Sequence, residues 1–168
     1  MDRYEGFREF VAARGAALSR TAFLLCGEHA GAQDLAQEAL TKAARHWHRI
    51  KDGNPEGYVR KIMVNHHVSW WRRRGRHEYP VASPPPTATV EDTAGPVTDR
   101  LAVRAALAGL PPKQRAVIVL RYFEDMSEKD IAVTLGVTPG TVKRHTSNGL
   151  ARLRRTLPTP DHLMEPVL

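Results

Sequence analysis

The sequence predicts an all-α protein made of two small helical domains joined by a flexible, proline-rich linker. Apolar residues recur at helical spacing in several segments, and capping residues, glycine or proline bound each segment. Residues 78–97 contain five prolines and almost no large apolar side chain, which is typical of a linker. The predicted divisions are a first domain over 1–77, the linker over 78–97, a second domain over 98–157 and a loose tail over 158–168.

Three helices are predicted in the first domain. Their approximate bounds are Tyr4–Cys26, Ala32–Trp47 and Pro55–Arg74, and His48–Asn54 has the composition of a loop. Asn54 caps the third helix, and Pro55 occupies its first position. The apolar stripes of three such helices are sufficient to bury one small core.

Four helices are predicted in the second domain. The first begins at Thr98 or Asp99 and closes at Gly109, and the second opens after Pro111. The last two helices lie between Ser127 and Arg155 and meet at a tight turn. This arrangement is a candidate helix-turn-helix.

Local signals set the bounds of that helix pair. Ser127 caps the first helix, with Asp130 three residues on as the partner in a short capping box. Gly136 is the residue type at which a helix ends in a left-handed cap. Thr138 then caps the second helix, whose first position is Pro139.

The second of these helices has a polar and basic outer face. Residues 131–160 contain no Asp or Glu but five Lys or Arg. Small polar and basic side chains on such a helix suit the major groove of DNA. The alternative is an ordinary helical hairpin whose basic face is only solvated. The outward-facing residues are Gly140, Thr141, Lys143, Arg144, Ser147 and Asn148.

A second candidate for nucleic-acid contact is the carboxyl end of the third helix. Aromatic rings beside cations are what single-stranded nucleic acid requires, because bases stack on the rings and phosphates pair with the cations. The alternative is a pair of core tryptophans followed by a solvated arginine run. Adjacent tryptophans cannot both point inward, so at least one is expected near the surface. The segment contains Asn65, His66, His67, Ser69, Trp70, Trp71, Arg72, Arg73 and Arg74.

Composition narrows the function class further. A net charge of +7 favours a polyanionic partner. Cys26 is the only cysteine, which excludes an internal disulfide and favours a reducing, cytoplasmic location.

We expect neither a signal peptide nor membrane insertion, since no apolar run approaches the ~20 residues that a membrane helix requires. The histidines are expected at the surface or facing nucleic acid rather than on a metal. We expect neither a cofactor nor an enzyme, because no catalytic cluster is present.

Three segments of the chain closely resemble the small extracytoplasmic-function (group IV) branch of the bacterial sigma-70 family. They read QDLAQEALTKAARHW, NPEGYVRKIMVNHHVSWWRRR and LPPKQRAVIVLRYFEDMSEKDIAVTLGVTPGTVKRHTSNGLARLR. Members of this branch retain only regions 2 and 4. The segments RTAFLLCG and SNGLARLR look similar to the SigE-type factors of actinobacteria. The resemblance implies a dissociable RNA polymerase subunit that directs core enzyme to a promoter and helps to open it.

The resemblance also implies a polymerase-binding surface on the second helix. Asp34, Gln37 and Glu38 match the segment that binds the clamp helices of the β′ subunit, and Thr41 shares their face. An exposed, partly acidic face suits a basic partner. A local Glu38–Lys42 pair is the alternative role for this acid, and both roles can hold at once. Further partners implied are the β flap, promoter DNA and an unidentified anti-sigma factor.

The same resemblance assigns the two DNA elements. Residues 48–54, with Asp52 and Asn54, match the loop that receives a flipped base of the minus-ten element, and Asn65 matches a polar residue of its pocket. The melted strand would then pass residues 69–74, although the strand-melting role of family tryptophans does not transfer to Trp70 and Trp71. The segment matching the minus-thirty-five helix contains Thr138, Gly140, Thr141, Lys143, Arg144, Ser147, Asn148 and, for phosphates, Arg152.

Two other function classes compete with this one. A free-standing helix-turn-helix regulator needs neither the Asp34–Glu38 surface nor the aromatic and arginine-rich helix end. A nucleic-acid-processing enzyme would require a catalytic cluster.

We further expect the isolated protein to bind DNA poorly, because a mobile linker tethers its two DNA-reading parts. Gly149 lies inside the last predicted helix, where glycine costs about 1 kcal/mol relative to alanine.

Overall fold

The computed structural model describes residues 4–74 and 96–157, without the side chains of residues 74 and 96–99. The described part is helical and contains no β-strand. The predicted linker up to residue 95 and the tail from 158 lie outside it. The helices are α1 Phe7–Cys26, α2 His29–Arg45, α3 Trp47–Ile50, α4 Pro55–Arg74, α5 Pro96–Ala108, α6 Pro112–Ile118, α7 Glu128–Leu135 and α8 Pro139–Thr156, with a π turn at Val119–Phe123 between α6 and α7.

The first helical group contains α1, α2 and α4, as predicted, together with the short helix α3. The predicted loop over residues 48–54 is wrong in its first part, because Trp47–Ile50 is helical. Trp47 is buried there, and its indole N–H donates to the carbonyl of Glu5 at 2.7 Å. This long-range bond fixes α3 against the start of α1. Asn54 caps α4 as predicted, since its side-chain oxygen accepts the backbone N–H of Gly57 at 2.8 Å.

The second helical group contains α5 to α8. The helix predicted from Thr98 or Asp99 begins two or three residues earlier, at Pro96. The helix that follows Pro111 ends in the π turn rather than continuing as regular α-helix. The capping predictions for the last two helices are confirmed: Ser127 accepts from the N–H of Asp130, and Thr138 from that of Thr141.

The two helical groups pack against each other, which the sequence did not indicate. One continuous core contains Leu18, Leu35 and Met63 of the first group together with Leu120 and Ile131 of the second, all buried. Small helical groups gain from such packing, because a short chain buries only a limited share of its surface alone. The α4 helix therefore contacts α6 and α7 as well as α1 and α2.

Gly149 is explained by the contact between α8 and α6. A Cβ atom at this position would lie 2.9 Å from Cγ1 of Ile118, which is closer than packed carbon atoms approach. Gly149 is buried, on the same inner face as Val142 and Leu153. The cost of glycine in a helix is thus offset by the close approach of the two helices.

This contact gives a first prediction. Gly149→Ala gains about 1 kcal/mol of helix propensity but overpacks the contact, which typically costs about 1–3 kcal/mol. We therefore expect a lower free energy of unfolding, by roughly 1 kcal/mol, in urea denaturation. Asn148→Ala, at the exposed neighbouring position, is the control and should not destabilise the protein. Greater stability of Gly149→Ala would show that Ile118 does not constrain the helix.

His67 is buried, so its predicted position at the surface or facing nucleic acid is wrong. Its side chain is 4% exposed on the inner face of α4, and its ring lies edge-on to Trp71 at 6.3 Å. Burial, together with the nearby charges of Arg115 on α6 and His66 on α4, lowers the pKa of His67 to about 4. The imidazole is therefore neutral in the folded protein at neutral pH.

Acid should weaken the fold through this histidine. Below pH 6.5 the unfolded chain protonates His67, whereas the folded protein does so only near pH 4. The free energy of unfolding should therefore fall between these values, by about 3 kcal/mol in total if the full pKa difference applies. Urea denaturation from pH 7 to 5 measures the slope, and His67→Gln should flatten it. Equal slopes for the two proteins would contradict this role.

Candidate nucleic-acid and polymerase interfaces

An open groove of about 620 Å³ runs along the outer face of α4 and reaches α2. Its residues on α4 recur at intervals of three and four, so they share one face of the helix. The lining residues are Lys42, Tyr58, Lys61, Ile62, Asn65, His66, Ser69, Arg72 and Arg73.

The groove has the chemistry of a site for single-stranded nucleic acid. It contains four Lys or Arg side chains, and none of its nine lining residues is acidic. The half-buried ring of Tyr58 provides a flat apolar face, and Asn65 and Ser69 provide hydrogen-bonding groups. Cations follow a phosphate backbone, whereas rings and amides contact bases.

The structure brings together five of the nine residues predicted for minus-ten contact: Asn65, His66, Ser69, Arg72 and Arg73. Asp52 and Asn54 are exposed before α4 but do not line the groove, and the side-chain oxygen of Asn54 caps the helix. Trp70 lies outside the groove, 38% exposed and edge-on to Trp71 at 5.1 Å, which confirms that one of the two tryptophans is near the surface. The side chain of Arg74 lies outside the described residues.

Four groove residues were not predicted from the sequence. Tyr58, Lys61 and Ile62 precede the aromatic and basic cluster by one to two turns, and Lys42 comes from α2. The helical spacing of positions 58, 61, 62, 65, 69 and 72 is the signal that would have identified the first three. Lys42 carries no such signal, because its position in the groove depends on how α2 packs on α4.

The outer face of α8 is exposed, as a DNA-reading helix requires. Lys143, Arg144 and Ser147 are exposed, and Thr141 is half-buried beside the cap of Thr138. Lys143 lies 3.9 Å from the carboxylate of Glu128 at the start of α7, and its side chain remains 70% exposed. The other predicted residues of this face, all exposed, are Thr138, Gly140, Asn148 and Arg152.

The predicted polymerase-binding residues lie together on α2. Asp34, Gln37, Glu38 and Thr41 are exposed and line a shallow hollow of about 330 Å³. Glu38 forms an ion pair with Lys42 at 3.1 Å. The hydrogen bond and the charge of Lys42 lower the pKa of Glu38, with smaller contributions from His66 and Arg45. Lys42 thus connects the acidic hollow with the basic groove.

Within residues 4–74 and 96–157, no three His, Cys, Asp or Glu side chains lie together in a way that would hold a metal ion. None of the helices there is both long and apolar enough to cross a membrane.

Family profiles match both helical groups. The profile described as sigma-70 region 2 matches residues 10–77, and the profile described as sigma-70 region 4 matches residues 100–153. The first match contains the groove and the acidic hollow, and the second contains α6, α7 and most of α8.

Whole-length relatives agree with these matches. The chain is 41% identical to the RNA polymerase sigma-E factor of Streptomyces antibioticus over 156 residues, covering 92% of this chain and 86% of that one. It is 34% identical to the ECF RNA polymerase sigma factor SigL of Mycobacterium tuberculosis strain H37Rv over 147 residues, covering 84% and 83%.

Solved structures show a similar fold. The sigma factor RpoE of Bartonella quintana, in complex with the anti-sigma factor NepR, superimposes with a TM-score of 0.68 at 25% identity, over 89% of this chain and 95% of that one. CnrH, in complex with the cytosolic domain of CnrY, gives 0.59 at 22% identity, over 90% and 86%. Because both region profiles match and the relatives align along most of their length, the chain belongs to the extracytoplasmic-function branch of the sigma-70 family and is an RNA polymerase sigma factor.

Proposed function

We propose that the basic groove on α4 holds the melted minus-ten strand while α8 reads the minus-thirty-five duplex. The basic groove carries this proposal, because it combines four cations with a ring and an amide along one helix face. The exposed loop with Asp52 and Asn54 would receive a flipped base beside the groove. Removing a base from the stack costs a few kcal/mol, and contacts in the loop and groove must offset this cost.

We propose that the acidic hollow on α2 binds the clamp helices of the polymerase β′ subunit. The second helical group is proposed to bind the β flap. Asp34 and Glu38 give this hollow a charge that complements a basic partner surface. We further propose that the protein acts in the cytoplasm as a non-catalytic subunit. An anti-sigma factor is the proposed negative regulator, because two proteins of similar fold were solved with protein partners, one of which is named an anti-sigma factor.

Strand opening is tested directly by permanganate, which oxidises unpaired thymines. Promoter DNA incubated with core polymerase and this protein should show reactive thymines around the minus-ten element. Arg72→Glu combined with Arg73→Glu should lose that reactivity although core is still bound. Reactive thymines at full intensity with the double variant would show that the strand follows another path.

Alanine substitutions on the outer face of α8 test its proposed contacts with the minus-thirty-five element. Replacing Lys143 or Arg144 by alanine should weaken promoter binding of the assembled polymerase about 10-fold, since one base or phosphate contact contributes about 1–3 kcal/mol. Association with core should not change. Lys129→Ala, at an exposed site on α7, is the control. Equal promoter occupancy for the native protein and the Lys143 and Arg144 variants would contradict the assignment of this face.

A further inference from the structure

Lys42 on α2 lies where the acidic hollow meets the basic groove. Its side chain lines the groove, and its ammonium group is 3.1 Å from a carboxylate oxygen of Glu38, which lines the hollow. The two residues are one helical turn apart, the spacing at which opposite charges on a helix surface meet. Both side chains remain partly open to solvent, at 43% for Lys42 and 47% for Glu38. Either one can therefore exchange its partner for a charged group from outside the protein.

Glu38 faces the groove as well as the hollow. The hydrogen bond and the charge of Lys42 lower the pKa of its carboxyl group, and the charge of His66 on α4 contributes to this shift. Lys42 and His66 both line the groove, so the carboxylate acts electrostatically on two groove residues. Asp34, the other acid of the hollow, lies a further turn away from Lys42 along α2. A negative charge at Glu38 therefore weakens the attraction between the groove and phosphate groups.

Lys42 is the cation that α2 contributes to the groove. The other three cations of the groove, Lys61, Arg72 and Arg73, all belong to α4. A strand lying in the groove would therefore be contacted by cations from two helices. An ammonium group that must first leave a carboxylate contributes less to phosphate binding than one that is already released, because the lost pair offsets part of the new one.

A partner bound in the hollow would change this balance. The hollow is acidic, so the surface that complements it is basic. A cation of that surface that pairs with Glu38 competes with Lys42 for the same carboxylate. Its binding neutralises the negative charge beside the groove and releases the ammonium group of Lys42 for a phosphate.

We propose that Lys42 is a further strand-binding residue that exchanges partners. Glu38 holds it in the isolated protein, and a phosphate of the melted strand takes the place of Glu38 when polymerase occupies the hollow. The inference rests on the proposed functions of the hollow and the groove, and it assigns the coupling between them to these two side chains. Because coupling between two binding events is reciprocal, a strand held in the groove also strengthens binding at the hollow.

Lys42→Met tests the exchange, because it removes the charge and keeps an apolar side chain of similar length. Polymerase assembled with this variant should bind a dye-labelled single strand carrying the minus-ten element about 5-fold more weakly in fluorescence anisotropy. The slope of log affinity against log salt concentration should decrease by about 0.7, the value for one phosphate contact on a single strand. The same variant should bind core about 2-fold more tightly, since Glu38 is no longer held by an exposed pair.

Opposite shifts of the two affinities distinguish an exchange of partners from a purely structural role. Arg8→Met, with the same loss of charge at an exposed site on α1, is the control and should change neither affinity. Native strand affinity and salt dependence for Lys42→Met would overturn its role in strand binding. Weaker strand binding without tighter core binding would overturn the exchange with Glu38.

Glu38→Gln tests the other side of the pair in the isolated protein, at low salt so that weak binding can be measured. This variant should bind the labelled strand about 3-fold more tightly than the native protein, because Lys42 is released and a negative charge beside the groove is lost. The gain should be smaller when Lys42→Met is also present, as a double-mutant cycle measures. Glu9→Gln, the same substitution at an exposed site on α1, is the control. Equal strand affinities for the Glu38 and Glu9 variants would overturn the proposal.

Failure of the proposed function would give a different result. Arg72→Glu combined with Arg73→Glu should abolish strand binding by the assembled polymerase in the same anisotropy measurement. If that double variant bound the strand normally, the groove would not hold the strand, and the proposed function would be contradicted together with the role of Lys42. If the double variant lost strand binding while Lys42→Met behaved like Arg8→Met, the proposed function would stand and only the exchange of partners would be overturned.

Discussion

Replacing Asp34 and Glu38 together by arginine should lower the affinity of the protein for core polymerase at least about 100-fold. Both side chains are exposed in the same hollow of α2, so the double change converts an acidic contact surface into a basic one. Close charge pairs across interfaces contribute about 1.5–7 kcal/mol, and reversal adds repulsion to the loss. Glu38 also loses its local pair with Lys42, which as an exposed contact contributes little to folding.

Co-purification with core and a binding titration measure this effect. Glu5→Arg combined with Glu9→Arg makes the same change in net charge at exposed sites near the start of α1 that do not line the hollow. That control should bind core normally, and both variants should keep their helical content. If the Asp34 and Glu38 variant bound core as tightly as the control, the hollow on α2 would not be the polymerase contact.

Reversing Arg72 and Arg73 to glutamate should reduce the lifetime of the open promoter complex by a similar factor of about 100. The two exposed side chains lie at the end of the groove, where the displaced strand would run. Each reversal removes a phosphate contact and adds repulsion, and phosphate contacts make binding strongly dependent on salt. The native complex should therefore dissociate faster as salt is raised, and the double variant should lose much of that dependence.

Decay of heparin-resistant complexes at several salt concentrations measures this lifetime. Arg8→Glu combined with Arg20→Glu changes the net charge equally on exposed positions of α1 and should leave both lifetime and salt dependence nearly unchanged. Core association should be normal for both variants. A native lifetime for the Arg72 and Arg73 variant would show that the groove does not hold the melted strand.

Most of the secondary structure could be predicted because its signals are local. Ser127, Gly136 and Thr138 set helix ends through bonds to residues three or four positions away, and the structure has those bonds. The cap at Asn54 was predictable for the same reason. The helix-turn-helix was therefore the element that could be predicted most fully from the sequence. The sigma-70 region 4 profile matches the residues that contain it.

Features that depend on distant contacts could not be predicted. The α3 helix is held by the bond from Trp47 to Glu5, 42 residues away. Nothing in the sequence distinguishes Arg115 from an ordinary surface cation. In the structure it is buried, and its guanidinium donates to carbonyls at the ends of α1 and α5. His67 is adjacent to the half-buried His66 but points inward, because packing of α4 against the second helical group decides which histidine is covered.

The candidate groove was predictable only in part. The aromatic and basic cluster drew attention to the end of α4, and five of the nine predicted residues line the groove. Tyr58 and Lys61 were missed because the prediction did not extend the helical spacing backward. Lys42 was assigned only to its pair with Glu38, and its second role depends on the packing of α2 against α4.

Transcription in vitro with core polymerase on genomic DNA fragments, followed by mapping of the start sites, tests the central claim most directly. The protein should direct core to discrete start sites that share two upstream elements, and neither component should do so alone. Gel shifts on the same fragments should show specific binding only when core is present. No discrete start with core, or tight and specific binding by the isolated protein, would contradict a promoter-specificity subunit and favour a free-standing regulator.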